Sequence, residues 1–397
     1  MNAASAPPAV QSIFIVAGEH SGDALGAKLI GALNALHPGR FTYSGVGGHD
    51  MEREGLISLF PIEDVAVMGP LNILAALPRL MRRVYQTVDA ALAAQPNILV
   101  IIDSPEFTHP IAKRVRRRAP NIPIVDYVSP SVWAWRPGRA KRMRAYIDEI
   151  LALLPFEPDA HARLGGPHCT YVGHPLSERL PEIANADAGV LARRLGIAPE
   201  QPVLLVLPGS RRSEVERLID VFGETVAKLS GDFQDLAVVL PVVPHLKDFV
   251  AARTRTWVVP PILLENAGDK FAAMKLARAA LAASGTVTLE LALAQLPMVV
   301  GYKVDPVAAP FLRRLIKAKT VVLANLVLDE NAFPEFLQQD CTAAKLAAAV
   351  APLLKETPER RTQCAALARV PARVALTNGT PSEAAAKATL ALLNTTA

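Results

Sequence analysis

The chain has 397 residues, 51% of them hydrophobic and 20% charged, a composition that buries large cores and excludes a disordered protein. That length is more than one compact core needs and suits two domains. Lys and Arg total 42 against 37 Asp and Glu; the net charge of +5 permits an anionic partner without demanding one, and an aromatic content of 5% argues against a nucleic-acid binder built on stacked bases.

The N-terminal MNAASAPPAVQ carries no basic residue and no apolar run, so it reads as a short tail and not as a secretory signal. Cys169, Cys341 and Cys364 are scattered and form no CxxC pair. A disulfide framework and a Cys-rich zinc site are therefore not expected, and a reducing cytoplasm is the simplest setting. No stretch is apolar enough for long enough to cross a bilayer.

The first strand is expected at residues 12–17 and runs into Gly18-Glu19-His20-Ser21-Gly22-Asp23, ahead of a helical pattern over 23–36. Two glycines let the backbone turn tightly and approach a ligand, while Glu19, Ser21 and Asp23 supply polar groups where the helix begins. Tyr43 to Gly48 reads as a glycine turn without the surroundings of a dinucleotide fingerprint. Residues 68–88 follow, with Leu74, Leu77, Met81, Val84 and Val88 at spacings of 3 and 4 and Arg79, Arg82 and Arg83 among them. This amphipathic pattern faces either a core or an anionic lipid surface.

An apolar strand at 97–102 ends directly at Asp103, a position suited to a general base and equally to a cap or an ion pair. Further strands are expected at 122–128 and 150–154. The first of these leads into Tyr127-Val128-Ser129-Pro130-Ser131-Val132-Trp133-Ala134-Trp135-Arg136, where two of the three tryptophans suit packing across a cleft or against a substrate. From Lys113 to Arg144 there are ten basic residues and one acid, Asp126. Such a run is a solvated face or a source of attraction for phosphate.

The pattern then restarts. Strands are expected at 203–207, 236–240, 257–259, 281–283 and 298–301, and an Ala-rich helix at 382–393. Apolar strands alternating with helices are the signature of parallel sheets covered on both faces. Two α/β units in succession follow, divided near 175–200. After 203–207 comes Pro208-Gly209-Ser210-Arg211-Arg212-Ser213, with Ser213 and Glu216 at capping-box spacing. After 281–283 comes Ser284-Gly285-Thr286, with Glu290 one turn into the next helix, within reach of ribose hydroxyls. Helix N-termini attract phosphate, so two such turns suggest a bound diphosphate. The sequence holds no HExxH, no P-loop and no GxSxG, so neither a metal ion nor an organic cofactor is expected.

The runs VAGEHSGD (16–23), VMG (67–69), YVSPSVWAWR (127–136), LLPFE (153–157), VGHP (172–175), LPGSRRSEV (207–215), SGT (284–286) with Glu290, and PMVVGYK (297–303) together resemble the lipid-A-disaccharide synthase family. The resemblance extends over nearly the whole chain. It implies an α/β protein of the GT-B type, with two facing Rossmann-like domains and a cleft between them. The N-terminal, acceptor-binding domain would cover 1–178 and be completed by the helix at 380–397; the UDP-sugar-binding domain would cover 179–379. The implied reaction is an inverting glycosyl transfer from UDP-2,3-diacylglucosamine to 2,3-diacylglucosamine 1-phosphate (lipid X), at the cytoplasmic face of the inner membrane.

On that resemblance Asp103 is the base, with Glu19 orienting the sugar or sharing that role. Gly209, Ser210, Arg211, Ser284, Gly285, Thr286, Glu290 and Asn325 would hold the donor, and Arg211 would stabilise the departing diphosphate. Ser21, Gly22, Asp23, Ser129 and Trp133 would meet the acceptor. Met68, Leu74, Leu77 and Met81 would meet acyl chains or anionic inner-membrane lipid. A homodimer is compatible with the family, and no nucleic acid is expected. The family often reads DxPDFN at the base motif; here Glu106 and Thr108 stand where that motif has Asp and Asn, so the base position is kept and the neighbouring acceptor contacts depart from the pattern. Another UDP-sugar transferase or epimerase of the same architecture is the alternative.

Overall fold

The structure, a computed structural model, describes residues 10–66, 70–305 and 319–395. Its contacts divide the chain into two units. One runs to Pro175 and resumes at Leu376; the other spans Leu176–Ala375.

The first unit contains β1 (Gln11–Ala17), β2 (Phe41–Val46), β3 (Leu56–Ser58), β4 (Ile98–Ile102), β5 (Ile124–Tyr127), β6 (Glu149–Ala152) and β7 (His168–Tyr171). Among the described residues they form one parallel sheet in the order β3-β2-β1-β4-β5-β6-β7. Every residue of β4 is buried, because helices cover both faces. The returning helix Pro381–Thr395 belongs here and brings Ala385, Ala386, Leu390 and Leu393 into the same core as Leu29 and Leu33 of the helix His20–Leu36.

The second unit contains β8 (Val203–Leu207), β9 (Ala237–Pro241), β10 (Ile262–Leu264), β11 (Ala279–Ala282), β12 (Met298–Tyr302) and β13 (Glu335–Leu337), all parallel, in the order β10-β9-β8-β11-β12-β13. Both units are thus Rossmann-like, with the first strand central and the order reversing beside it.

The strand expected at 257–259 is not one. Trp257 is buried against the helix Arg212–Asp232, where a Cβ on Gly223 would meet its Nε1 at 2.4 Å, and the strand forms beyond Pro260 and Pro261 as β10. The segment read as a glycine turn at Tyr43 is the end of β2. Gly45, at φ +143°, lies so close to β1 that a Cβ would meet Ile15 O at 1.9 Å. Short or polar strands such as β7 and β13 carry no apolar run and were not expected.

Candidate functional site

The strand order reverses between β1 and β4, and Ala17 pairs with Ile102 at their carboxyl ends. The two loops that leave this point therefore abut. A Cβ on Gly18 would meet Ser104 Cβ at 2.5 Å, and one on Gly22 would come 3.4 Å from Ile102 O. The first approach requires a glycine at position 18; the second leaves a side chain at position 22 little room. The meeting of the two loops brings the side chain of Glu19 into hydrogen-bonding contact with Asp103. Burial, that hydrogen bond and the Glu19 charge push the Asp103 carboxyl up from 3.8 to about 7.

The Asp103 backbone is held hard. Asp103 and Ser104 both take left-handed φ, +49° and +41°. The Asp103 N–H donates to Tyr127 O at 3.0 Å, and Thr108 Oγ1 donates to Asp103 O at 2.7 Å. Two successive non-glycine residues in this region store roughly 1–3 kcal/mol each, a cost that collects at functional turns. Ser21 Oγ donates to Glu19 Oε1 at 3.0 Å and so steadies the second carboxylate.

Asp23 has a different task from the one expected. Its buried carboxylate accepts from the N–H groups of Gly48, Asp50 and Met51 at 2.8–3.1 Å, capping the helix His49–Arg53. Ser129 and Trp133 likewise turn their polar atoms inward. Ser129 Oγ lies 2.8 Å from His161 Nε2, and Trp133 Nε1 donates to Glu157 Oε1 at 3.1 Å. Burial lifts the Glu157 carboxyl to about 7 against the pull of its hydrogen bonds from Leu154 N–H and Trp133. The loop is therefore pinned from below, with Ser131 and Arg136 exposed. Glu157 and His161 carry this support, and neither was singled out by the sequence; position after a strand end, in LLPFE, is the only signal for Glu157. Asp126 is buried on β5, its Oδ2 3.2 Å from His109 Nε2.

In the second unit the reversal falls between β8 and β11, with Leu207 opposite Ala282. The Gly209 and Gly285 turns leave from these two strands and are neighbours for that reason. Gly209 has φ +124° and Gly285 φ +147°, and a Cβ on Gly285 would point into open space. The helix Arg212–Asp232 begins two residues earlier than the capping-box spacing implies. Arg211 is its N-cap, no side chain caps it, and Glu216 accepts from Arg212 instead. Its first turn thus offers backbone N–H groups to an anion. Ser210 and Arg211 are exposed there, with Arg211 Nη1 2.9 Å from Glu214 Oε1.

Ser284 Oγ donates to Val321 O at 2.7 Å, and Thr286 is exposed at the start of Val287–Leu293. Glu290 is 7% exposed and contacts Lys270. Asn325 does not present its amide to these turns. Its Nδ2 donates to Phe333 O at 2.9 Å and its Oδ1 accepts from Phe333 N–H at 2.9 Å, so it fastens its own loop.

Of the residues expected at lipid, Met68 lies outside the described residues, as does the side chain of Leu74. In the helix Pro70–Ala94, Val84 and Val88 enter the core, while Leu77 is 46% exposed beside exposed Arg79 and Met81 is half-buried. Among the described residues no helix is long and apolar enough to cross a membrane, and no group of His, Cys, Asp or Glu is placed to hold a metal ion.

A family model described as Lipid-A-disaccharide synthetase matches residues 13–388. A lipid-A-disaccharide synthase of Nitrobacter winogradskyi is 51% identical over 383 residues, 96% of each chain. One of Bradyrhizobium diazoefficiens is 48% identical over 383 residues, 96% of this chain and 97% of the relative. Among solved structures, the UDP-GlcNAc 2-epimerase of Neisseria meningitidis bound to UDP-GlcNAc aligns with a TM-score of 0.61 at 13% identity, covering 97% of this chain and 99% of that one. The S. aureus MnaA–UDP co-structure aligns with 0.62 at 13% identity, covering 94% of each. At such identities the likeness is one of fold.

Proposed function

The chain belongs to the lipid-A-disaccharide synthetase family, and on that premise we propose how its residues carry the reaction. It is a glycosyltransferase of lipid A synthesis. Its donor is UDP-2,3-diacylglucosamine and its acceptor is lipid X. The first unit takes the acceptor and the second takes the donor. The epimerases that share the fold do so at 13% identity, whereas relatives named for disaccharide synthesis match at about half of all positions, so the alternative of an epimerase is not favoured.

The observation that carries this reading is the meeting of Glu19 and Asp103, with the Asp103 carboxyl raised to about 7. A carboxyl of that strength is ionised a little above neutrality and is basic enough to accept a proton in a transition state. Asp103 takes the proton of the acceptor 6-hydroxyl as that oxygen attacks the anomeric carbon of the donor. The carbon–oxygen bond to the diphosphate breaks on the opposite side, UDP leaves with the electron pair, and configuration inverts.

The uncapped N–H groups at the start of Arg212–Asp232 and the Arg211 guanidinium stabilise the charge that develops on the leaving diphosphate. The Ser284-Gly285-Thr286 turn supports the same group, and Glu290 accepts from the ribose. Asp23, Ser129, Trp133 and Asn325 act as positioning residues for the turns they anchor, not as contacts to either substrate. Ser21 and Gly22 shape the acceptor turn.

The exposed end of Pro70–Ala94 around Leu77 and Arg79 meets acyl chains or anionic inner-membrane lipid, which would hold the protein at the cytoplasmic face of that membrane. The test is a product assay with purified protein, UDP-2,3-diacylglucosamine and lipid X. Formation of the β-1,6-linked disaccharide 1-phosphate with stoichiometric UDP is expected. Release of UDP without disaccharide, or 2-epimerisation of a UDP-sugar, would overturn the reading.

A further inference from the structure

Glu290 is a carboxylate in a place that water hardly reaches, and such a group calls for a partner. Its partner is Lys270, the first residue of the helix Lys270–Leu276, whose Nζ donates to Glu290 Oε2. The other oxygen, Oε1, has the Arg179 guanidinium at 3.9 Å, too far for a hydrogen bond. Arg179 spends its donors elsewhere: Nε and Nη2 each donate to Glu182 at 2.8 Å, and the guanidinium lies over the Phe271 ring at 4.4 Å. Thus one carboxylate oxygen is anchored by a hydrogen bond, while the other is paired with the Arg179 charge at 3.9 Å without one.

We propose that Lys270 is a positioning residue that holds the Glu290 carboxylate in one orientation, so that Oε1 is presented to the hydroxyls of the nucleotide ribose. Arg179 supports the same orientation through its charge and is itself fixed by Glu182 and Phe271. The inference rests on the reading of Glu290 as the ribose contact. Without Lys270 the carboxylate loses its anchor, and its rotated forms gain population. Preference for a ribose diol then falls even though Lys270 touches no part of the ligand. An Arg in its place keeps a cationic donor at the anchored oxygen, whereas Met fills the space and donates nothing.

Calorimetric binding of UDP and of 2′,3′-dideoxyuridine diphosphate to the full-length protein tests this. The parent is expected to prefer UDP by tenfold or more. Glu290→Gln and Lys270→Met should each bring the two ligands within about threefold, with dideoxy nucleotide affinity unchanged, and Lys270→Arg should keep most of the preference. Unchanged dideoxy binding also reports that the unit is folded. If Glu290→Gln keeps the full preference, the ribose reading fails and takes the inference with it. If Glu290→Gln loses the preference and Lys270→Met keeps it, the role of Lys270 alone is overturned. A Lys270→Arg protein as indifferent to ribose as Lys270→Met overturns the anchoring argument too.

Discussion

Replacing Asp103 by Asn separates what this residue does for turnover from what it costs the fold. In the folded protein its carboxyl is raised from 3.8 to about 7, first by burial and then by Glu19. The sign follows from linkage. Below about pH 4 the group is protonated in both folded and unfolded chains and contributes nothing. Between 4 and 7 the unfolded carboxyl ionises while the folded one stays protonated, so stability falls as pH rises, and above 7 the full cost is present. A shift of that size corresponds to about 4 kcal/mol, and solvent reaching the half-buried carboxylate trims it.

Asn keeps the shape, can donate to Glu19, and carries no charge. The Asn variant should therefore be more stable than the parent at pH 8 by roughly 2–4 kcal/mol, and by less than half of that at pH 5. The measurement is urea denaturation of both proteins at the two pH values, alongside the product assay. Turnover should drop by about 10²–10⁴-fold, the usual contribution of a general base. A variant less stable than the parent at pH 8, or a difference that does not change with pH, would refute the electrostatic account. Near-parental turnover would remove Asp103 from the base role.

The same value places the acid limb of the kcat/KM profile near pH 7, and a limb at pH 4–5 would show an unperturbed carboxylate. Gly18→Ala puts a Cβ 2.5 Å from Ser104 Cβ and should destabilise by roughly 1–3 kcal/mol in denaturant melts; adding Ser104→Gly should recover most of that, and no recovery would mean the clash lies elsewhere. Trp133→Phe deletes the donor to Glu157 Oε1 and should cost roughly 1–3 kcal/mol at pH 8, with Glu157→Gln on top lessening the loss; an unchanged unfolding midpoint counts against the pinned loop. Replacing Leu74, Leu77 and Met81 together by Ser should reduce co-sedimentation with anionic phospholipid vesicles, and undiminished pelleting would dismiss this segment as a lipid contact.

Much of the candidate site was legible because chemistry-bearing residues stand directly after apolar runs. Asp103 follows β4 without a gap, and the Gly209 and Gly285 turns follow β8 and β11. What those positions do was less legible. Asp23 looks like a substrate contact until Gly48, Asp50 and Met51 return from more than twenty residues away to occupy it. Asn325 and Trp133 carry the same ambiguity, since a polar atom near a turn has the same letter whether it faces a ligand or another group of the protein. Trp257 resembles a strand residue because it sits in a short apolar run, and the two prolines that delay β10 outweigh it.

By itself the sequence determined the class of fold, its two-unit plan and the family, because hydrophobic period and motif spacing are local properties of the chain. The tertiary structure alone decided which strand ends become neighbours. The reversal of order beside β1 and β8 brings Glu19 against Asp103 and sets two glycine turns side by side. It also raised the proton affinity of Asp103, because a carboxyl's proton affinity depends on the water it loses and the partners it gains. Asp103 directly follows a strand and Glu290 lies one turn into a helix, yet folding gives one acid a competing carboxylate and the other an ammonium group.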